Sequence, residues 1–126
     1  MEIVRGAFEA FTKGGVSAIL ELVSSEFELE LHPPTPKARL EGPEGLVEFA
    51  EEWDQAFEEY ALAPERFIDN GDEVVVLARF RGRGKGSDIE IDVPVAHRWT
   101  VHEGKAVRAA FYTDRKEALE AAGLRE

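Results

Sequence analysis

Three side chains stand where their chemistry would matter. His97 belongs to the set Ile89, Ile91, Val93, Val95, His97, Trp99 and Val101, whose spacing places them on one face of a strand. Histidine titrates near neutral pH, so an imidazole facing a pocket there is a candidate acid, base or ligand donor. The other reading is a core histidine with both ring nitrogens satisfied. His32, followed by Pro33, ends an alternating stretch in which Phe27, Leu29 and Leu31 alternate with Glu28, Glu30 and His32. It is either a base at a pocket mouth or an exposed residue ending a strand. Arg79 has aliphatic neighbours. A guanidinium turned inward there needs an acid, with Asp54 and Glu30 as candidates, or an anionic ligand group. Alternatively its stem packs inward and its head reaches solvent.

Aromatic residues accompany these groups. Trp53, Phe57, Tyr60, Trp99 and Phe111 form either a lining suited to a flat ligand or ordinary core packing. Several other chemistries are ruled out or weak. The chain has no cysteine, which excludes disulfides, thiolate catalysis and cysteine-ligated zinc. Histidines 32, 97 and 102 are too scattered for a metal site, so neither metal nor cofactor is expected. Gly82-x-Gly84-x-Gly86 lacks the strand-to-helix context and the Gly-Lys-Ser/Thr ending of a phosphate loop, and reads as a hairpin loop.

The elements that must position these residues follow from periodicity. Ile3, Val4, Ala7, Phe8 and Phe11 predict a first helix, stopped by Gly14-Gly15; Val16, Ile19, Leu20 and Val23 predict a second, shorter one. The strand over Phe27–His32 is expected to end at Pro33-Pro34-Thr35-Pro36, because proline removes ladder donors. Leu46, Phe49, Ala50, Trp53, Phe57 and Tyr60 share one face of a third helix, with Pro43 in its first turn. Four strands follow, at about 62–69, 73–82, 88–102 and 105–114. Asn70-Gly71 marks a tight turn between the first two, and Glu103-Gly104 one between the last two. Asp114 caps a closing helix, with Glu117 three residues on and Gly123 at its end. Helices first, then a mostly antiparallel sheet, then one helix make an α+β fold. The expected organisation is one domain over 1–126.

With 15 basic and 26 acidic residues the net charge is −11. A surface this acidic repels phosphate backbones, so no nucleic-acid partner is expected. No apolar stretch approaches the roughly 20 residues of a membrane span. The start, Met-Glu-Ile-Val-Arg-Gly, does not read as a secretory signal, so the expected location is the cytoplasm.

The last quarter of the chain carries a likeness. A hairpin ending in Tyr112-Thr113-Asp114, followed by Glu117-Ala118-Leu119-Glu120-Ala121-Ala122-Gly123-Leu124, resembles the end of a SnoaL-like domain of the NTF2-like (ketosteroid-isomerase-like) superfamily. The order of elements agrees over essentially the whole chain. The resemblance implies a cone: N-terminal helices packed against a strongly curved, mostly antiparallel sheet, with one pocket between them. It implies that Val75, Leu77 and Arg79 point into the cone. Val74, Val76, Ala78 and Phe80, with Ala96, Ala110 and Tyr112, would then form a greasy outer face, the implied interface of a homodimer. With a hairpin turn one residue shorter than in ketosteroid isomerases, His97 falls where that family keeps an oxyanion-hole aspartate. His32-Pro33 falls where it has Asp-Pro with the general base, and Phe8 or Phe11 takes the region of its oxyanion tyrosine. Limonene-epoxide hydrolases share this fold, but Val75 and Phe111 occupy the positions of their aspartates. SnoaL-type cyclases use a pocket aspartate; here the nearest acid, Asp114, is explained by its cap.

The expected function is binding of a small hydrophobic or anionic molecule, as an isomerase, cyclase or hydratase acting on a hydrophobic carbonyl compound. In that reading His97 and His32 are catalytic, and Arg79, Trp53, Phe57, Tyr60, Trp99 and Phe111 hold the ligand. The alternative is a non-catalytic ligand-binding or protein-interaction domain.

Overall fold

A computed structural model describes residues 2–32, 39–86 and 89–124. Helix α1 (Glu2–Gly14) buries Val4, Ala7 and Phe8, the face set by its three-and-four spacing. The second helix is instead two 3-10 turns, Val16–Ala18 and Leu20–Leu22. Their hydrogen bonds, such as Ile19 N–H to Val16 O and Leu22 N–H to Ile19 O, close three-residue turns. Strand β1 (Val23–His32) fully buries Phe27 and Leu29. The proline run expected to end it, and Ser87 and Asp88 farther on, lie outside the described residues. A short β2 (Arg39–Glu41), not anticipated from the sequence, pairs antiparallel with β1.

Helix α2 (Gly42–Ala56) carries Pro43 in its first turn and buries Leu46 and Ala50. It ends earlier than expected. Phe57 and Tyr60, placed on its face by spacing, instead open strand β3 (Phe57–Asn70) and pair with Gly84 and Gly82 of β4 (Glu73–Gly84). Their spacing suits a helix, but the long ladder to β4 recruits them into the sheet. Helix spacing is a weak prior against such tertiary pairing. The β3–β4 loop is Gly71-Asp72, with Gly71 at φ +73°, a type II′ turn. Between β5 (Glu90–His102) and β6 (Lys105–Tyr112), Glu103 and Gly104 both have positive φ, 51° and 79°, as a type I′ turn requires.

The six strands form one curved, open sheet in the order β2-β1-β6-β5-β4-β3, parallel only between β1 and β6. The core lies on its inner side, where Val4 and Phe8 of α1, Leu46 of α2, Phe27 and Leu29 of β1 and Trp99 of β5 meet. No helix among the described residues is long and apolar enough to cross a membrane.

The facing of β4 is the reverse of the expectation. Val74, Val76 and Ala78 join the core, and Phe80 packs on Trp53 with ring centroids 4.7 Å apart. Val76 sits opposite His97, Ala78 opposite Val95 and Phe80 opposite Val93, so all share the inner face. Val75, Leu77 and Arg79 therefore point outward. On β6, Ala109 and Phe111 face in as expected. One extra residue, Val107, between the pairs Thr100–Arg108 and Val101–Ala106 turns Ala106 into the core instead.

The reversal takes Val74, Val76, Ala78 and Phe80 out of the outer face expected to form a homodimer interface. Part of the outer face is covered by the chain's own closing helix, α3 (Arg115–Ala121): Leu77, Ala96, Ala110 and Tyr112 pack with Ala118. The helix is well terminated. Asp114 accepts the Lys116 N–H at 2.9 Å, and Leu124 N–H reaches Leu119 O at 2.8 Å around Gly123 at φ +76°.

Arg115 pins this helix to the sheet. Opposite Ala78 stands Pro64, which has no N–H, and Glu65 is an extra residue in β3. Arg115 Nη2 donates to Ala78 O at 2.6 Å and to Glu65, and its Nε donates to Val95 O at 3.2 Å. Replacing Arg115 with methionine keeps the stem but strands two partly buried carbonyls. The expected loss is about 2 kcal/mol of unfolding free energy, read from urea denaturation. Lys116→Met, on the exposed side, should change little and serves as the control.

Candidate functional site

The inner face of the sheet and the two long helices enclose a cleft whose walls are built ring on ring. His97 and Phe111 are cross-strand neighbours on β5 and β6, and their rings stack at 3.8 Å and 18°. Phe8 of α1 approaches His97 to 5.7 Å from another side. From α2, Phe49 and Trp53 reach in, with Phe49 5.6 Å from Phe111. Trp53, Tyr60 and Phe80 pack together at 4.7–6.2 Å. Gly82 makes room for this group: a Cβ there would lie 3.1–3.3 Å from the Phe57 and Phe80 rings.

The cleft has two connected parts. A deep cavity of about 60 Å³ is bounded by Ala7, Val16, Ile19 and Leu46 in addition to the aromatic rings. A mouth of about 330 Å³ opens past Leu31, Val93, Val95 and Thr113. Phe49, Trp53, Leu62, His97 and Phe111 line both parts. Among the described residues, neither lining includes an aspartate, glutamate, lysine or arginine.

His97 is 4% exposed and, with Tyr112, one of two buried titratable side chains among the described residues. Burial alone pulls its pKa down to about 3, so the ring is neutral at physiological pH. Trp99 Nε1, which can only donate, lies 3.3 Å from His97 Nδ1. Nδ1 is thus the acceptor, and the ring proton sits on Nε2. Nε2 has no hydrogen-bond partner among the described residues, and His97 lines both parts of the cleft. A neutral ring with its proton on Nε2 can donate a hydrogen bond there.

The other expected site residues divide. Trp53, Tyr60, Trp99 and Phe111 line the cleft with His97. Phe57 lines neither part and stands behind Phe80 and Tyr60 as their packing support. The Tyr60 hydroxyl donates to Asp54 at 2.8 Å. Burial, then that hydrogen bond and the carboxylate's charge, push its pKa up to about 12, which keeps it protonated. His32 borders the mouth, but its ring lies flat on Tyr112, with centroids 4.5 Å apart and an angle of 7°, and its Nε2 is 3.4 Å from Glu30. Arg79 lies on the outer face, with Nε 2.8 Å from Asp92, and lines neither part of the cleft. Neither Asp54 nor Glu30 pairs with it: Asp54 holds Tyr60, and Glu30 takes Arg108.

Sequence reasoning missed Phe80, Leu62 and Phe49 as cleft walls. A signal for Phe80 existed. Arg79, Arg81 and Arg83 share one parity of β4, and three arginines in step mark the solvent side. With both parities of residues 74–78 apolar, that signal lay only at the strand's far end.

The buried imidazole also has a thermodynamic consequence. Its folded pKa, about 3, lies below the unfolded value of 6.5. Above pH 6.5 neither state protonates it; below, the unfolded chain takes a proton that the native ring refuses. Stability must fall as pH drops from about 6.5 towards 3, by at most about 1.4 kcal/mol per unit from this group. In urea titrations at pH 7, 6, 5 and 4, His97→Leu should lack that component, so its loss of stability on acidification should be smaller than that of the wild type.

Comparison with known proteins agrees with this architecture. No curated protein matches the chain in sequence. A solved protein of ketosteroid-isomerase-like fold from Catenulispora acidiphila, in complex with trimethylamine, superposes with a TM-score of 0.78 at 22% identity, covering 98% of this chain and 94% of that one. TerC, co-crystallised with polyporic acid, gives 0.79 at 23%, covering 97% and 96%. A protein provisionally assigned as a SnoaL-like polyketide cyclase, from Jannaschia sp. CCS1, gives 0.78 at 23%, covering 99% and 92%. At these identities the likeness is one of fold. The SnoaL-like domain model matches the sequence itself over residues 4–109, most of the chain, from α1 into β6. The chain belongs to the SnoaL-like domain family.

Proposed function

We propose that the cleft binds a flat, hydrophobic small molecule through an acceptor oxygen, and that His97 Nε2–H donates the hydrogen bond that positions it. The observation that carries this reading is a neutral histidine, its N–H unpartnered among the described residues, in the wall of an otherwise apolar, aromatic cleft. A buried donor without a partner is costly in a finished core, whereas a ligand oxygen would complete it. Two proteins of the same fold bind small molecules, polyporic acid in one and trimethylamine in the other.

A neutral donor in a water-poor site can also polarise a carbonyl. As negative charge develops on the oxygen, the hydrogen bond strengthens, with no reorganisation of solvent. In the catalytic form of this reading, an isomerase, cyclase or hydratase, His97 is the electrophile. His32, held by Glu30 and bordering the mouth, is the titratable group placed to move a proton. The second reading, binding without catalysis, is favoured by a separate observation: no carboxylate among the described residues lines either part of the cleft. The outward position of Arg79 also removes the cation that an anionic ligand would have needed, which favours an uncharged one.

The test compares 2-acetonaphthone with 2-ethylnaphthalene, which has the same outline without the oxygen, by calorimetric titration. His97→Phe keeps a ring on Phe111 but removes the donor. It should weaken ketone binding about tenfold, the scale of one hydrogen bond with a neutral partner, and leave the hydrocarbon unaffected. Equal effects on the two compounds would reject the donor role. Where turnover is found, the same substitution should lower it by roughly 10²–10³.

A further inference from the structure

We propose that the ligand carries its acceptor oxygen between two apolar arms, a short one buried beyond His97 and a longer one leaving the cleft over Val93. The inference rests on the binding reading above and concerns what kind of molecule satisfies it.

The donor stands at a junction. His97 and Phe111 line both the deep cavity and the mouth, so a ligand atom bonded to Nε2 has apolar space on either side. Beyond it lie about 60 Å³ walled by Val16, Ile19, Leu46 and Ala50. A single water needs about 10–15 Å³ of such space, so the cavity takes roughly four to six heavy atoms, a short alkyl chain. A terminal aldehyde would leave it empty, and its walls would forfeit their contacts. A carboxylate would be stripped of water and find no lysine or arginine among the described residues of the lining to receive it.

On the other side the wall runs on past the covering helices. Val93 shares the inner face with Val95 and His97, sits opposite Phe80, borders the mouth, and is 41% exposed. Large apolar side chains this open are rare here; Ile89 is the other one among the described residues. An apolar arm longer than the cleft would cover Val93 and gain the area it now shows to water.

Calorimetric titration of naphthyl ketones reads both arms. For the short arm, methyl, ethyl and butyl 2-naphthyl ketones should bind within a few-fold of one another, and the nonyl ketone at least tenfold more weakly. Ile19→Ala, which enlarges the deep cavity, should recover part of the nonyl ketone's loss. Ala50→Val, which narrows it, should disfavour the butyl ketone; two opposed variants, each checked by thermal melting, keep the result independent of either one's folding. 2-Naphthoate should bind at least thirtyfold more weakly than the methyl ketone. For the long arm, a 6-butyl group on 2-acetonaphthone should raise affinity about tenfold in the wild type and not in Val93→Asp. Naphthoate binding as tightly as the ketone, a ketone order that neither cavity variant alters, or a butyl gain that survives Val93→Asp would each overturn the two-armed ligand and leave the His97 donor standing. If neither the ketones nor 2-ethylnaphthalene bind, the cleft reading falls with it.

Discussion

The register of β4 against β5 is the constraint on which the rest of this structure depends. Once Val76 is opposite His97, period-two alternation leaves no further choice. Phe80 must close the cleft beside Trp53, and Arg79 must stand outside with Asp92. Slipping the pairing by one residue would carry an arginine into the aromatic interior and a phenylalanine into solvent. The Gly71-Asp72 turn on one side, and the match of Val74, Val76 and Ala78 to Trp99, His97 and Val95 on the other, hold the register in place.

Within that frame His97 carries a cost in stability that the proposed ligand contact would offset. Its ring supplies packing, stacked on Phe111, and Trp99 satisfies one nitrogen. An apolar residue of similar shape would remove both the donor without a partner among the described residues and the penalty on acidification, and the proposed ligand contact gives a reason for a histidine here. The surrounding chemistry is consistent with this. Trp99 selects the tautomer, burial keeps the ring neutral, and the aromatic walls exclude water that would otherwise compete for the N–H.

The outer face shows how the sheet can be curved around a cleft and still be covered. Helix α3 lies on Leu77, Ala96, Ala110 and Tyr112, and Arg115 supplies the donors that Pro64 and the bulge at Glu65 withhold from Ala78. Nearby, Arg98 holds Glu73 through two nitrogens at 2.8–3.0 Å and donates to the Tyr112 hydroxyl at 3.1 Å, tying β4, β5 and β6 together on the convex side. These contacts join the strands that build the cleft from its convex side.

Much was legible in the sequence by itself, because local rules decided it. The first helix and the two hairpin turns follow from spacing and from glycine's access to positive φ, and the capped closing helix from Asp114 and Gly123. The facing of β5 was also readable, since its parities differ sharply: Val93, Val95, His97 and Trp99 against Asp92, Arg98 and Thr100. Only the tertiary structure decided which face of β4 turns inward, because residues 74–78 are apolar on both parities and only the neighbouring strand breaks that tie. It alone ended α2 at Ala56, since Phe57 and Tyr60 suit either period and the ladder to β4 outweighs local preference. The state of His97 belongs to the same category. Its residue type announces a titratable ring, but its neutrality and the nitrogen that carries the proton are set by burial and by the indole of Trp99, two partners that the fold brings together.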